Sequence, residues 1–218
     1  MHLKKELPSL ILIILPVLYL WYVWSGLPEQ VPIHWNIHGK VDRYGSKTEL
    51  FYLVLFLPLF IYMVFLLVPK IDPKGLIGRM GGKYKQLRTI LTFFISAIML
   101  MIIYSSAHPD LFKSSFILIA VSLLFVFLGN YFKTVRPNYF VGIRTPWTLE
   151  NEEIWKETHQ LAGKLWFFGG LLLLLTTMAL PEEIGMRAFM VIAMMLFLIP
   201  VVYSFVLFRR IKAREGQE

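Results

Sequence analysis

The chain has 218 residues, no cysteine and a formal net charge of +8; 57% of its side chains are apolar and only 17% charged. Soluble domains carry about 25% charged residues, and one of this size has too little interior for so much apolar surface, so the composition excludes a soluble fold. The missing cysteine excludes disulfides, thiolate nucleophiles and cysteine-based zinc sites, while basic residues beside apolar runs fit anchoring to membrane lipids rather than direct nucleic acid binding.

A helix needs about 20 mostly apolar residues to cross the hydrocarbon core. Six stretches come close: 7–26, 50–69, 89–107, 114–131, 165–180 and 186–208, the fifth borrowing from 161–164. The predicted fold class is all-α, a polytopic membrane protein with six transmembrane helices. The first run follows Lys4 and Lys5 as a signal peptide would, but it is long, rich in Trp and Tyr, and lacks a small-x-small cleavage site. It is expected to be a retained span. Pro16, Pro58 and Pro200 fall inside spans and predict kinks rather than ends. Drawn this way, no span interior holds Asp, Glu, Lys or Arg, which argues against a pump or coupled transporter.

Of the 22 Lys and Arg residues, 17 lie in the two tails and the second and fourth connections. Lys40, Arg43, Lys47, Lys113 and Arg187 make up the rest, on the other face. The positive-inside rule then puts both termini in the cytoplasm and the connection 27–49 outside. Two three-span halves follow, 1–110 with the extracytoplasmic loop and 111–218 with a cytoplasmic segment at 129–165.

The outer connection reads LPEQVPIHWNIHGKVDRYGSKTEL. Its prolines and glycines predict an extended, turn-containing loop, with Ile33 and Trp35 folding back on the span ends. Asn36 and Asp42 suit side-chain-to-backbone turns, and Gly39 and Gly45 suit positive φ. His34, His38 and Asp42 fall at i, i+4, i+8, residue types that bind zinc. That spacing shares a face only on a helix, which Pro32 and Gly39 oppose, and no HExxH is present. Turn and interface roles are therefore the first reading, and no metal or cofactor is called. An outer-face metal site in a membrane enzyme acting on lipid or peptide is the alternative.

The inner segment reads GNYFKTVRPNYFVGIRTPWTLENEEIWKETHQLAGKLW. Gly142 predicts a turn, and Thr145-Pro146 a helix start with proline at the first position. Thr148 or Asn151 is a second candidate cap, followed by Glu150, Glu152 and Glu153 at the positive end of a helix dipole. Beyond it, Ile154, Trp155, Leu161, Ala162 and Leu165 share a face, predicting an amphipathic interfacial helix that runs into the fifth span. Trp155 and His159 are i, i+4 neighbours. Glu153, Glu157 and His159 are acid–base residue types, but no nucleophile or metal cluster accompanies them, so no catalytic residue is called. Arg144, held on a turn, can bind a carboxylate, a phosphate or helix carbonyls.

The string GIRTPWTLENEEIWKETHQLAGK, with Gly129-Asn130 and Arg136-Pro137-Asn138 upstream, resembles the SdpI family of bacterial immunity proteins. LPEQVPIHWNIHGKVDRYGSK resembles the domain of unknown function common at the N-terminus of such proteins. The resemblance implies a six-span, multi-pass protein of the bacterial cytoplasmic membrane, not an enzyme, that protects against a secreted membrane-active peptide toxin. It also implies a signalling role in which toxin draws a cytoplasmic transcriptional repressor to the membrane. On that footing Pro32, His34, Trp35, Asn36, Gly39 and Asp42 are candidates for toxin contact. Arg144, Thr145, Pro146, Trp147, Thr148, Glu152, Trp155 and His159 are candidates for repressor docking or for the switch.

Overall fold

The computed structural model describes residues 3–36 and 38–215, apart from the side chains of residues 3–5 and 215. Within it, six helices are long and apolar enough to cross a membrane. Helices α1 (Leu3–Val23), α2 (Lys47–Ile71) and α3 (Gly82–Ala107) pack on one another. So do α4 (Ser115–Phe132), α6 (Glu152–Ala179) and α7 (Glu182–Glu215), with the five-residue α5 (Pro146–Glu150) leading into α6. The α1–α2 connection is more regular than the expected loop. It forms an antiparallel hairpin of β1 (Gln30–Trp35) and β2 (Val41–Ser46), whose register is irregular around His34.

The helices run past the apolar stretches that foretell them. With a rise of about 1.5 Å per residue, the 34 residues of α7 reach well beyond a hydrocarbon core about 30 Å thick. The amphipathic segment runs into the fifth span as expected, and only the cover of its apolar face differs. It is the first part of α6 itself, one continuous helix of 28 residues. Its apolar face, with Ile154, Trp155 and Ala162 buried, is covered by protein rather than by the lipid surface.

α6 lies close against α4 because three glycines remove the obstacle. A Cβ on Gly129 would overlap the α6 backbone at Phe167, one on Gly163 would come within 2.9 Å of the Gly129 carbonyl, and one on Gly170 within 2.7 Å of Val126 N. Small residues at such contacts let helix backbones meet in a membrane, where lipid gives no hydrophobic drive to associate.

The prolines inside helices leave carbonyls four residues earlier without their helical partner. Two of these are closed from a neighbouring helix. Pro69 frees Phe65, whose carbonyl accepts from the Tyr84 hydroxyl of α3 at 2.9 Å. Pro200 frees Leu196, whose carbonyl accepts from the Trp166 indole N–H of α6 at 2.8 Å. With no water in the hydrocarbon, such a repair lets proline sit in a span.

The longer helices also correct the picture of charge-free spans. Glu6 of α1 and Arg88 of α3 lie inside the helical segments, buried and paired at 2.5 Å. The Tyr62 hydroxyl of α2 donates to the same carboxylate at 3.0 Å, and Lys85 lies 3.3 Å from its other oxygen. One carboxylate thus holds three helices. At the hairpin end the first helical group closes over Leu20, Val31, Leu50 and Ile103, all essentially inaccessible.

Candidate functional sites

The hairpin is held at its tip. Asn36 accepts from the backbone N–H of His38 (2.9 Å) and Lys40 (3.2 Å) through Oδ1, the side-chain turn expected of it. Gly39 takes φ +74°, and a Cβ there would meet Ser114 and Glu182. His38 Nδ1 lies 3.3 Å from Glu183, which also accepts from Arg187 (2.5 Å), while Ser114 donates to Glu182. Trp35 packs on Phe112 with ring centroids 5.6 Å apart. The tip thereby joins the approach to α4 and the first turn of α7.

Two expectations in this loop are corrected. Gly45 is not at positive φ; it lies extended in β2, where a Cβ would run into Glu49 and Ile33. Asp42 makes no turn with the backbone. Its carboxylate meets His34 Nδ1 at 2.5 Å, on an exposed face of the hairpin. His38 points away to Glu183, so the three zinc-type residues do not converge, and among the described residues no group of three His, Asp or Glu is placed to hold a metal. Pro32, Trp35 and Gly39 instead line a cavity of about 390 Å³ with Tyr44, Ser114 and Glu182. His34, Asn36 and Asp42 lie outside it.

At the other end of the helices, the motif is a chain of local bonds. Buried Asn138 accepts from the N–H groups of Phe140 (2.8 Å) and Val141 (2.7 Å) and donates to the carbonyls of Arg136 (2.8 Å) and Val141 (3.0 Å). The loop then crosses Gly142 at φ +110°, where a Cβ would overlap His159 Nε2. That nitrogen accepts from Ile143 N–H at 3.0 Å, so Nδ1 carries the proton and donates to the Trp155 carbonyl at 2.8 Å. Both ring nitrogens are occupied by backbone, and the ring stacks on Trp155 with centroids 4.1 Å apart. The Trp155 indole N–H in turn donates to the Val135 carbonyl at 3.0 Å.

Both candidate caps form. Thr145 caps α5 with Pro146 at its first position, and Thr148 returns the bond by accepting from Thr145 N–H at 2.8 Å and donating to the Ile143 carbonyl at 2.9 Å. Asn151 caps α6 by accepting from Glu153 N–H (2.9 Å) and Ile154 N–H (3.0 Å). Trp147 reaches across to α7, where its indole donates to Ser204 Oγ at 2.8 Å and its ring meets Phe205 and Phe208. Arg144 donates to the Tyr139 carbonyl at 2.5 Å, with its side chain exposed. Glu152 is exposed on the first turn of α6. Of the eight motif candidates, Thr148, Trp155 and His159 are buried, whereas Arg144, Pro146 and Glu152 face outward.

Sequence reasoning gave no role to Asn138, Ser204 or the Glu6–Arg88 pair. The Pro137-Asn138 turn dipeptide was a usable signal for the first. Nothing in the spacing of residues 6, 62, 85 and 88 foretells that they meet.

Known proteins bear on both ends. Residues 134–204 match the SdpI/YfhL protein family, and residues 11–61 match a domain of unknown function, DUF1648. The chain is 26% identical over 170 residues to the Immunity protein SdpI of Bacillus subtilis (strain 168), covering 74% of this chain and 76% of that one. No solved structure gives a significant match. With its six spanning helices, the chain is a multi-pass protein of the cytoplasmic membrane, similar to the SdpI/YfhL family over residues 134–204 and to DUF1648 over residues 11–61.

Proposed function

We propose that the chain is a non-enzymatic immunity protein that protects its cell against a secreted, membrane-active peptide toxin. The observation that carries this is the likeness to a protein named as an immunity protein, spanning about three quarters of both chains. The geometry supports a binding role over a catalytic one. His159 has no free nitrogen to act as a base, and the histidines of the hairpin diverge.

In this proposal the hairpin faces out and meets the toxin along the cavity walled by Pro32, Trp35 and Gly39, and through His34, Asn36 and Asp42 elsewhere on the hairpin. The motif faces the cytoplasm, where exposed Arg144, Pro146 and Glu152 meet a repressor. Thr145, Thr148, Trp155 and His159 hold that surface in shape, and Trp147 ties it to α7. The route between the two ends is α7. Its first turn carries Glu182 and Glu183 against the hairpin tip, and its far part carries Ser204, Phe205 and Phe208 against Trp147. Toxin would alter the motif by favouring one setting of that helix.

The test is survival of a toxin-sensitive bacterium expressing the chain, against a panel of membrane-active peptides. Protection against at least one is expected. Trp147→Ala should insert normally and still protect, yet lose induction of a reporter driven by the chain's own promoter. Unchanged killing by every peptide would remove the reading.

A further inference from the structure

A cavity of about 520 Å³ opens beneath the motif loop. Its walls come from Phe65 of α2, Leu91 of α3, Leu128 of α4, Trp166 of α6 and Leu198 of α7, and residues 140–145 roof it. The size is that of a small-molecule site. α2 and α7 make no extended packing with one another, so the cavity is a crevice between the two helical groups, and half-exposed Leu198 stands at its mouth.

Three polar side chains interrupt these apolar walls, and that of Thr145 is already used in capping α5. Tyr131 lines the cavity, is 8% exposed, and its hydroxyl has no hydrogen-bond partner among the described residues. Buried hydroxyls are seldom left so, least of all at membrane depth. Arg144 is on the roof, and among the described residues only one of the donors of its guanidinium fork is engaged, by the Tyr139 carbonyl. A buried phenol without an acceptor, a guanidinium with donors to spare above it and an apolar slot between the helices describe one kind of occupant. The connections at this end hold most of the chain's Lys and Arg, as the headgroup layer of anionic lipid requires.

We propose that this crevice binds an anionic amphiphile from the adjoining leaflet, its acyl chain between α2, α3 and α7 and its head oxygens on Tyr131 and Arg144. A phospholipid and a free fatty acid offer that same chemistry. The site shares Arg144 with the proposed repressor surface, but its binding test needs neither toxin nor repressor.

The test is native mass spectrometry of the full chain, stripped of lipid in detergent and offered phosphatidylglycerol, oleate or zwitterionic phosphatidylcholine. Retention of at least one anionic species is expected, with affinity about tenfold above phosphatidylcholine, since one charge-assisted bond is worth that factor or more. Phosphatidylglycerol without oleate identifies a phospholipid site, and the reverse a fatty-acid site. Arg144→Gln should erase the preference for anionic species. Tyr131→Phe should weaken retention a few-fold and yet raise the melting temperature of the stripped protein, because it deletes an unpaired hydroxyl. Leu91→Trp should fill the slot and abolish retention, with Leu198→Trp at the mouth taking its place if the first variant elutes aggregated. Equal retention of phosphatidylcholine and phosphatidylglycerol, or unchanged retention in the filled variant, would overturn the assignment. So would a Tyr131→Phe protein that loses stability when stripped.

Discussion

At Gly142 two constraints coincide: a left-handed backbone at φ +110° and an imidazole pressed where a Cβ would sit. Gly142→Ala should therefore cost about 1–3 kcal/mol, the usual size of such backbone strain, and lower the melting temperature of the detergent-solubilised protein. A substitution that leaves it unchanged would show that the loop does not pass over His159. The Glu6–Arg88 pair sets a second residue-level expectation. Removing one partner of a buried ion pair costs about 3–5 kcal/mol, and removing both costs much less. Arg88→Met should destabilise the protein sharply, and adding Glu6→Gln should restore most of the loss, as read by thermal unfolding. Individual roles were legible where they are local: Gly142 as a turn, Thr145 and Asn151 as caps, Asn36 as a side-chain turn. Asp42 was misread because its partner, His34, lies across a hairpin whose register no local rule reveals.

Among the elements, the spans were legible because about twenty apolar residues have few other destinations. Their ends were not, because a helix continues through polar turns once its neighbours cover it. That is why Glu6 and Arg88 were placed outside spans and why the apolar face of the first part of α6 was expected against lipid. Pro200 was expected as a kink and Pro69 as the end of its span; that Tyr84 and Trp166 would close the freed carbonyls was not readable, since those donors lie 19 and 30 residues away in sequence. Trp166→Phe keeps an aromatic ring but leaves the Leu196 carbonyl unpaired. A loss of about 1–3 kcal/mol is expected for an unsatisfied buried group, again by thermal unfolding in detergent. A variant as stable as the parent would mean that α7 closes its own break.

For the whole molecule, the distribution of Lys and Arg predicts which end faces which side, and the absence of cysteine makes the test clean. His38→Cys should react with an impermeant maleimide in intact cells, and Glu150→Cys only after permeabilisation. The opposite pattern would reverse the orientation and with it the assignment of toxin and repressor surfaces. The same topology accounts for what one chain can couple. The hairpin tip and the motif never meet, yet both touch α7, near its first turn and towards its far end.

The borrowed donors at Phe65 and Leu196 carry an implication for biogenesis. As each segment leaves the insertion machinery, α2 and α7 hold an open carbonyl whose partner in the folded protein comes from another helix. Their final course is therefore set only by lateral assembly, α2 after α3 arrives and α7 against an α6 already in place. Excised as lone peptides in bilayers, both should fray at the proline step, whereas the paired fragments should not.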